Sequence, residues 1–381
     1  MNNEPDESSS TSQNMQQSPP PLPNDHAAGP RTKLVVILVL VILCLMVACG
    51  TAATFWWIGH RSAQSDTPQT AATTDTTHTA TTTPAAAAST QIQGVQLDTS
   101  KNYGNKYANG VLPVGDGKYT TAGAKQGYVY ACGQYASSLA NGGGGAQARG
   151  PWFTNNNTAY NINQKTHVLG SVNWQGSITD TIAGTTRTTI TNDLPNHPTG
   201  IFPIAASDPA YTYDRNPNHI AAQSLTYSLN ASPTYGTPTC MGGEAGVMLT
   251  GVALFNAFDA GGRDAGAWEV QDGCSGHPDA QSEYHYHTLS SCIKDTSVHT
   301  VIGFALDGFP ITGPAVGPNN VLTTADLDEC HGLTGSITLD GKQVTMYHYV
   351  MTQDFPYSVS CFRGSAIQPP NLGHQQPGAR P

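Results

Sequence analysis

Six cysteines lie beyond residue 60, and they constrain what this chain can fold into more than any other feature of it: Cys132, Cys240, Cys274, Cys292, Cys330 and Cys361. An even set of this kind fits disulfides, which persist where the surroundings are oxidising and so point to an exported protein. The six allow many connectivities that spacing alone does not settle. None of them forms a Cys-x-x-Cys pair, so thiolate metal ligation is not the reading.

A repeat in the sequence narrows the choice. Cys274, Gly276, Tyr284-His285-Tyr286 and Cys292 recur as Cys330, Gly332, Tyr347-His348-Tyr349 and Cys361. Gly251-Val252-Ala253-Leu254 stands before the first set and Gly303-Phe304-Ala305-Leu306 before the second. Two related half-units, about 247–292 and 300–361, are expected to pair about a pseudo-twofold axis. The repeat favours Cys274 with Cys292 and Cys330 with Cys361, leaving Cys132 with Cys240. Each bridge stabilises by roughly 2–4 kcal/mol.

From about Gln91 to Gly364 short β-rich runs alternate with Gly, Pro and Asn clusters, without helical periodicity. The expected fold is all-β, a disulfide-stabilised β-sandwich-like domain with many loops over residues 91–364. The clearest local signal is Gly335–Met351, where Asp340-Gly341 between two alternating runs specifies a type I′ hairpin. Val168–Trp174, Ser177–Ile190 broken by Ala183-Gly184, and Val247–Phe255 read as further strand runs. Asn141-Gly142-Gly143-Gly144-Gly145 reads as a loop and lacks the Gly-Lys-Ser/Thr of a phosphate cradle.

Leu34 to Ile58 is an uncharged apolar run of roughly 25 residues, long enough to cross a bilayer as a helix. Arg31 and Lys33 precede it and Trp56-Trp57 lie near its end, which places the N-terminus in the cytoplasm. A cleaved signal peptide would need a shorter apolar region, and lipidation at Cys49 is opposed by the apolar residues that continue past it. The expected organisation is a disordered cytoplasmic tail (1–33), a transmembrane helix (34–58), a Thr/Ala-rich linker (59–90), the extracellular domain and a disordered C-terminal tail (365–381). The membrane is the expected partner, and the sequence identifies no extracellular ligand. With a net charge of -10 and only 11% charged residues the chain lacks the clustered cations that nucleic acid requires.

Three of the thirteen histidines fall inside the loop bounded by Cys274 and Cys292. On an extended strand His285 and His287 project to one side and Tyr284 and Tyr286 to the other. His277 folds back over them if the two cysteines close the loop, and His348 holds the place of His285 in the second half. Imidazoles converging in this way suit copper or zinc. The expected metal ligands are therefore His277, His285, His287 and His348, with Asp272, Glu283 or His331 as further donors or as groups that orient a ring from behind. His348 has a second reading as a core histidine, because it shares its strand face with Val344, Met346 and Val350. Val350 also replaces His287, so any site would be asymmetric between halves. The four tyrosines read as packing, and Glu269 with Asp272 as a weak acid–base pair. There is no Gly-x-Ser-x-Gly, His-Glu-x-x-His or dinucleotide fingerprint.

Tyr284-His285-Tyr286-His287, preceded by Gly251–Phe255 and Glu269-Val270-Gln271-Asp272 and followed by Ala305–Ile311, resembles the YHYH-domain family. The likeness runs from about Tyr103 to Gly364 and takes in Gly127–Cys132, Gly150-Pro151-Trp152 and Asp214-Arg215-Asn216-Pro217. The resemblance implies no particular reaction. The function expected from the residues is transition-metal binding by a membrane-tethered extracellular domain. The alternatives are a metal-free structural or adhesive surface module, and a metalloenzyme of oxidase or hydrolase type.

Overall fold

Leu225, Tyr227 and Leu229 alternate with Thr226, Ser228 and Asn230, and in the computed structural model the first three are buried and the second three exposed. The structure describes residues 93–136 and 149–371. The segments 1–33, 34–58 and 59–90 and the glycine loop at 141–145 lie outside the described residues, and so does most of 365–381. No helix among the described residues is long and apolar enough to cross a membrane.

The alternating segment is strand β3 (Leu225–Asn230), which pairs with the hairpin of β1 (Ile178–Ala183) and β2 (Thr186–Thr191) in a three-stranded antiparallel sheet. Its inward side chains join the main core together with Val247 and Phe304. Arg187, on the inward side of β2, lies over the Phe304 ring and donates two hydrogen bonds of 2.7 Å to Asp340.

That core is organised by an eight-stranded mixed sheet. Its strands are β4 (Glu244–Met248), β5 (Ala253–Phe255), β6 (Gly276–Pro278), β7 (Tyr284–Tyr286), β8 (Val301–Ala305), β9 (Pro310–Thr312), β10 (Gly332–Leu339) and β11 (Lys342–Val350). They lie side by side in the order β6-β7-β5-β4-β8-β9-β11-β10. The run Val247–Phe255, expected as one strand, is two strands joined by a tight turn. Val168–Trp174 forms isolated bridges at Val168 and Val172. The described chain is built mostly of strands, with little helix and three disulfides. The β10–β11 turn has positive φ at both Asp340 and Gly341, as a type I′ hairpin requires.

Order and register are both twofold. Outward from the centre each half runs first strand, second, fourth, third. The first pair is antiparallel, the next parallel and the last antiparallel. At the centre β4 and β8 are antiparallel with Val247 opposite Phe304 and Gly246 opposite Ala305. Exchanging the halves about that pair puts Gly246 on Gly303 and Leu249 on Leu306. The equivalent of Gly303–Leu306 is thus Gly246–Leu249, and the sequence match to Gly251–Leu254 is out of register. The glycines at 246 and 303 are fixed by crowding. A Cβ on Gly246 would lie 2.2 Å from the Phe304 carbonyl oxygen, and one on Gly303 would lie 2.8 Å from that of Val247.

The loops that feed β6 and β10 repeat the symmetry. Asp272 accepts from the backbone N–H of Cys274 and Gly276 and from the Tyr284 hydroxyl. Asp328 accepts from Cys330, Gly332 and the Tyr347 hydroxyl in the same way. The tyrosine rings lie on the glycines: a Cβ on Gly276 would fall 2.3 Å from the Tyr284 ring, and one on Gly332 would fall 2.3 Å from the Tyr347 hydroxyl. The disulfides join Cys274 to Cys292, Cys330 to Cys361 and Cys132 to Cys240, the pairs that the repeat singles out. Beyond Gly364 the chain still touches the domain, where the Ile367 N–H donates to the Leu306 carbonyl.

Candidate metal centre

His277 on β6 and His285 on β7 are directly opposed in an antiparallel pair, and His287 lies one residue past the end of β7. Opposed residues of adjacent strands point to the same face, and so do residues two apart, so all three imidazoles leave the sheet together. Their donor nitrogens lie within 4.8 Å of one another. All three side chains are buried, with 5%, 4% and 2% of their surface exposed for His277, His285 and His287.

Backbone carbonyls fix two of the rings. His285 Nδ1 lies 3.2 Å from the Glu283 carbonyl and His287 Nδ1 lies 2.5 Å from that of Asn256. A carbonyl only accepts, so each Nδ1 carries its proton and each Nε2 presents a lone pair. The two Nε2 atoms are 3.1 Å apart. His277 makes no hydrogen bond through either ring nitrogen. Phe255 stacks on the His285 ring at 4.1 Å between centroids and prevents it from turning away.

A carboxylate lies against two of the three rings. Glu269 Oε2 lies 3.4 Å from the Nε2 of His277 and 3.4 Å from that of His287, with no hydrogen bond of its own. Glu269 follows the one-turn helix α1 (Ala265–Trp268), whose N-cap Asp264 accepts from the Ala267 N–H. Lys165, half-buried beneath the end of that turn, donates to the carbonyls of Gly266 and Glu269 at 2.6 Å and to Gln271. The Trp152 indole donates to the Ala267 carbonyl. Asp214 accepts from the Val270 N–H, and Asn216 donates to the Pro278 carbonyl, so the Asp214–Pro217 segment braces the chain beside Glu269 and beside His277.

Burial dominates the electrostatics. It pushes the imidazoles of His277 and His285 well below their ordinary range, aided by the neighbouring imidazoles, and brings His287 down to about 4. It raises Glu269 well above the usual carboxylate range, reinforced by the charges of Asp259 and Asp214. Lys165 is pulled down to about 8 by burial. The site therefore disfavours protons on its imidazoles while holding three ring nitrogens together, with the Glu269 carboxylate against two of the rings.

The remaining expected donors are elsewhere. His348 is not part of the group. It sits on β11, five strand spacings from β7 across the sheet and therefore about 24 Å away. Asp272 is occupied with its own loop and with Gly200 N–H, and His331 bonds the Thr352 hydroxyl. Glu283 contributes its backbone carbonyl, not its carboxylate, to the histidine group. Glu269 as a donor to the metal group was missed from sequence, because the helix end that brings it there is positioned by Lys165 and Trp152, more than a hundred residues upstream.

His197, Cys274 and Cys292 form a second close group, but the two sulfurs are bonded to each other and offer no thiolate. His197 bonds the Tyr286 hydroxyl and lines a cleft of about 560 Å³ with Thr250, Cys292 and Lys294. This cleft adjoins the tyrosine side of β7 and not its histidines.

The fold and site together define a strand-built, disulfide-bonded domain with a buried cluster of three histidines and a glutamate. Residues 226–320 match the family model described as YHYH protein, and over that span the chain carries a YHYH domain. The match takes in β3 to β9, Glu269 and all three clustered histidines, and it ends before His348. No curated protein and no solved structure matches the chain.

Proposed function

We propose that the domain binds one divalent transition metal ion, zinc or copper, through Nε2 of His277, His285 and His287 and the carboxylate of Glu269. The observation that carries this reading is the pair of facing lone pairs on His285 and His287. With both Nδ1 protons committed to carbonyls, two acceptor nitrogens 3.1 Å apart repel each other, and a cation between them turns that repulsion into binding.

The spacing supports the same conclusion. Four ligands at about 2.0–2.1 Å from a tetrahedral zinc are separated from one another by roughly 3.3 Å. The distances here are 3.1 Å between two imidazoles and 3.4 Å from Glu269 to each of two. Imidazole and carboxylate donors suit zinc or copper. The carbonyls of Glu283 and Asn256 orient the rings from behind, as is usual for histidine ligands. Four protein donors close the first shell and favour a metal with a structural task over one that turns over substrate.

The apolar run at 34–58 and the linker after it support a tethered domain on the outer side of a membrane, where the three disulfides are stable. The test is elemental analysis of the chain after exposure to zinc or copper and dialysis. One equivalent in the parent and none in His285→Ala is expected. No retained metal in the parent would refute the proposal.

A further inference from the structure

His348 is a buried histidine with nothing to do. Its Nδ1 lies 3.1 Å from the Met346 carbonyl, and its Nε2 has no hydrogen-bond partner in a side chain with no exposed surface. Leu333 opposes it, Val350 lies two residues along the same strand and Leu97 sits beside Gly335 together with the His348 ring, all three members of an apolar cluster with Val298 and Leu322 that gains nothing from an imidazole.

The twofold register explains the residue. Tyr286 is opposite Leu254 and Tyr349 opposite Ile311, so the Tyr-His-Tyr strands occupy equivalent places and His348 stands where His285 does. Both rings present Nδ1 to the carbonyl two residues earlier in the chain, and both leave Nε2 pointing away from the backbone. Leu333 is opposite His348 as His277 is opposite His285, and Val350 holds the place of His287. Counting back from Cys330 as from Cys274 puts Ala325 at the place of Glu269.

From this we infer that the second half-unit contains a dismantled copy of the metal centre, a divalent-cation site of which His348 is the remaining ligand and from which Leu333 and Val350 have removed two imidazoles. The inference rests on the metal reading of the first half. It follows that the pocket takes a zinc or cobalt ion once the two imidazoles return. With alanine at 325 the restored ion has three protein ligands and keeps one position for water, unlike the closed first centre.

The experiment is Leu333→His with Val350→His in the full chain, with bound zinc counted by elemental analysis after dialysis and cobalt followed by its visible absorption. The expected result is one equivalent more than the parent chain holds, with the gain abolished by adding His348→Ala. A folded variant that gains no metal overturns the inference, and so does an unfolded variant that zinc does not refold. A parent chain without zinc beside a variant that gains one equivalent would refute the first centre and with it the claim that the second is its copy, whereas a zinc-holding parent beside a variant without gain overturns the inference alone.

The reciprocal exchange, His277→Leu with His287→Val, needs no metal. It turns the first pocket into a copy of the second and is expected to melt no lower than the metal-free parent. A large drop in melting temperature overturns the equivalence of the two pockets.

Discussion

Replacing His348 with leucine should make the domain less sensitive to acid by an amount that follows from the burial of this one ring. Burial lowers the imidazole to about 4 in the folded chain, against an ordinary value of 6.5. In the unfolded chain the ring takes up a proton as the pH falls through 6.5, while in the folded chain it does so only near 4. The folded state binds fewer protons in that window, so stability is fully present above 6.5 and is lost as the pH falls toward 4. At pH 5 the unfolded ring is protonated and the folded one is not. The difference is about 1.5 pH units, or about 2 kcal/mol at 1.36 kcal/mol per unit. Leucine cannot take up the proton, so His348→Leu escapes this loss. The assay is urea unfolding of the metal-free parent and variant at pH 7.5 and at pH 5. The stability of the variant relative to the parent should rise by about 2 kcal/mol between the two conditions. A relative stability that is the same at both pH values would mean that the ring is hydrated or protonated in the folded chain, and would rule out a dry, neutral His348.

Zinc at a hundredfold excess over its dissociation constant should stabilise the parent by about 2.7 kcal/mol. At roughly 2–4 °C per kcal/mol for a domain of this size, differential scanning calorimetry should show a rise of about 5–10 °C that His277→Ala removes. Glu269→Gln keeps the shape but weakens an anionic ligand, so isothermal titration should show at least a roughly tenfold loss of zinc affinity with the fold retained. Removing the Cys274–Cys292 bridge by paired serines opens the loop that carries all three histidines. It should cost about 3 kcal/mol in denaturant and weaken metal binding, whereas removing Cys330–Cys361 should cost stability without changing metal affinity. Gly276→Ala and Gly332→Ala each force a methyl group against a tyrosine and should each destabilise by about 1–3 kcal/mol in thermal melts.

What the sequence disclosed was local or repeated. The type I′ turn at Asp340-Gly341 sets its own hairpin, and the period of two along Tyr284–His287 places both histidines on one face whatever surrounds them. The repeat exposed the duplication because the Asp-x-Cys-x-Gly loop and its tyrosine are one interlocked unit, in which each residue depends on the others. The register of the halves was not legible in the same way. Gly251–Leu254 resembles Gly303–Leu306 in composition, but the pairing of Val247 with Phe304 is a long-range choice of the sheet. His348 shows the limit most clearly. Its sequence context matches that of His285, and only the strand order reveals that the two lie at opposite ends of one sheet. The place of Glu269 beside the histidines was out of reach for the converse reason, since it depends on a half-buried lysine and a tryptophan from a distant segment.

X-ray absorption at the metal edge of the zinc- or copper-loaded chain reads the ligand set itself. Three imidazole nitrogens and one oxygen at about 2.0–2.1 Å are expected, with the outer-shell scattering of histidine rings and no sulfur. A first shell that contains sulfur near 2.3 Å, or a chain that retains no metal to measure, would contradict that set.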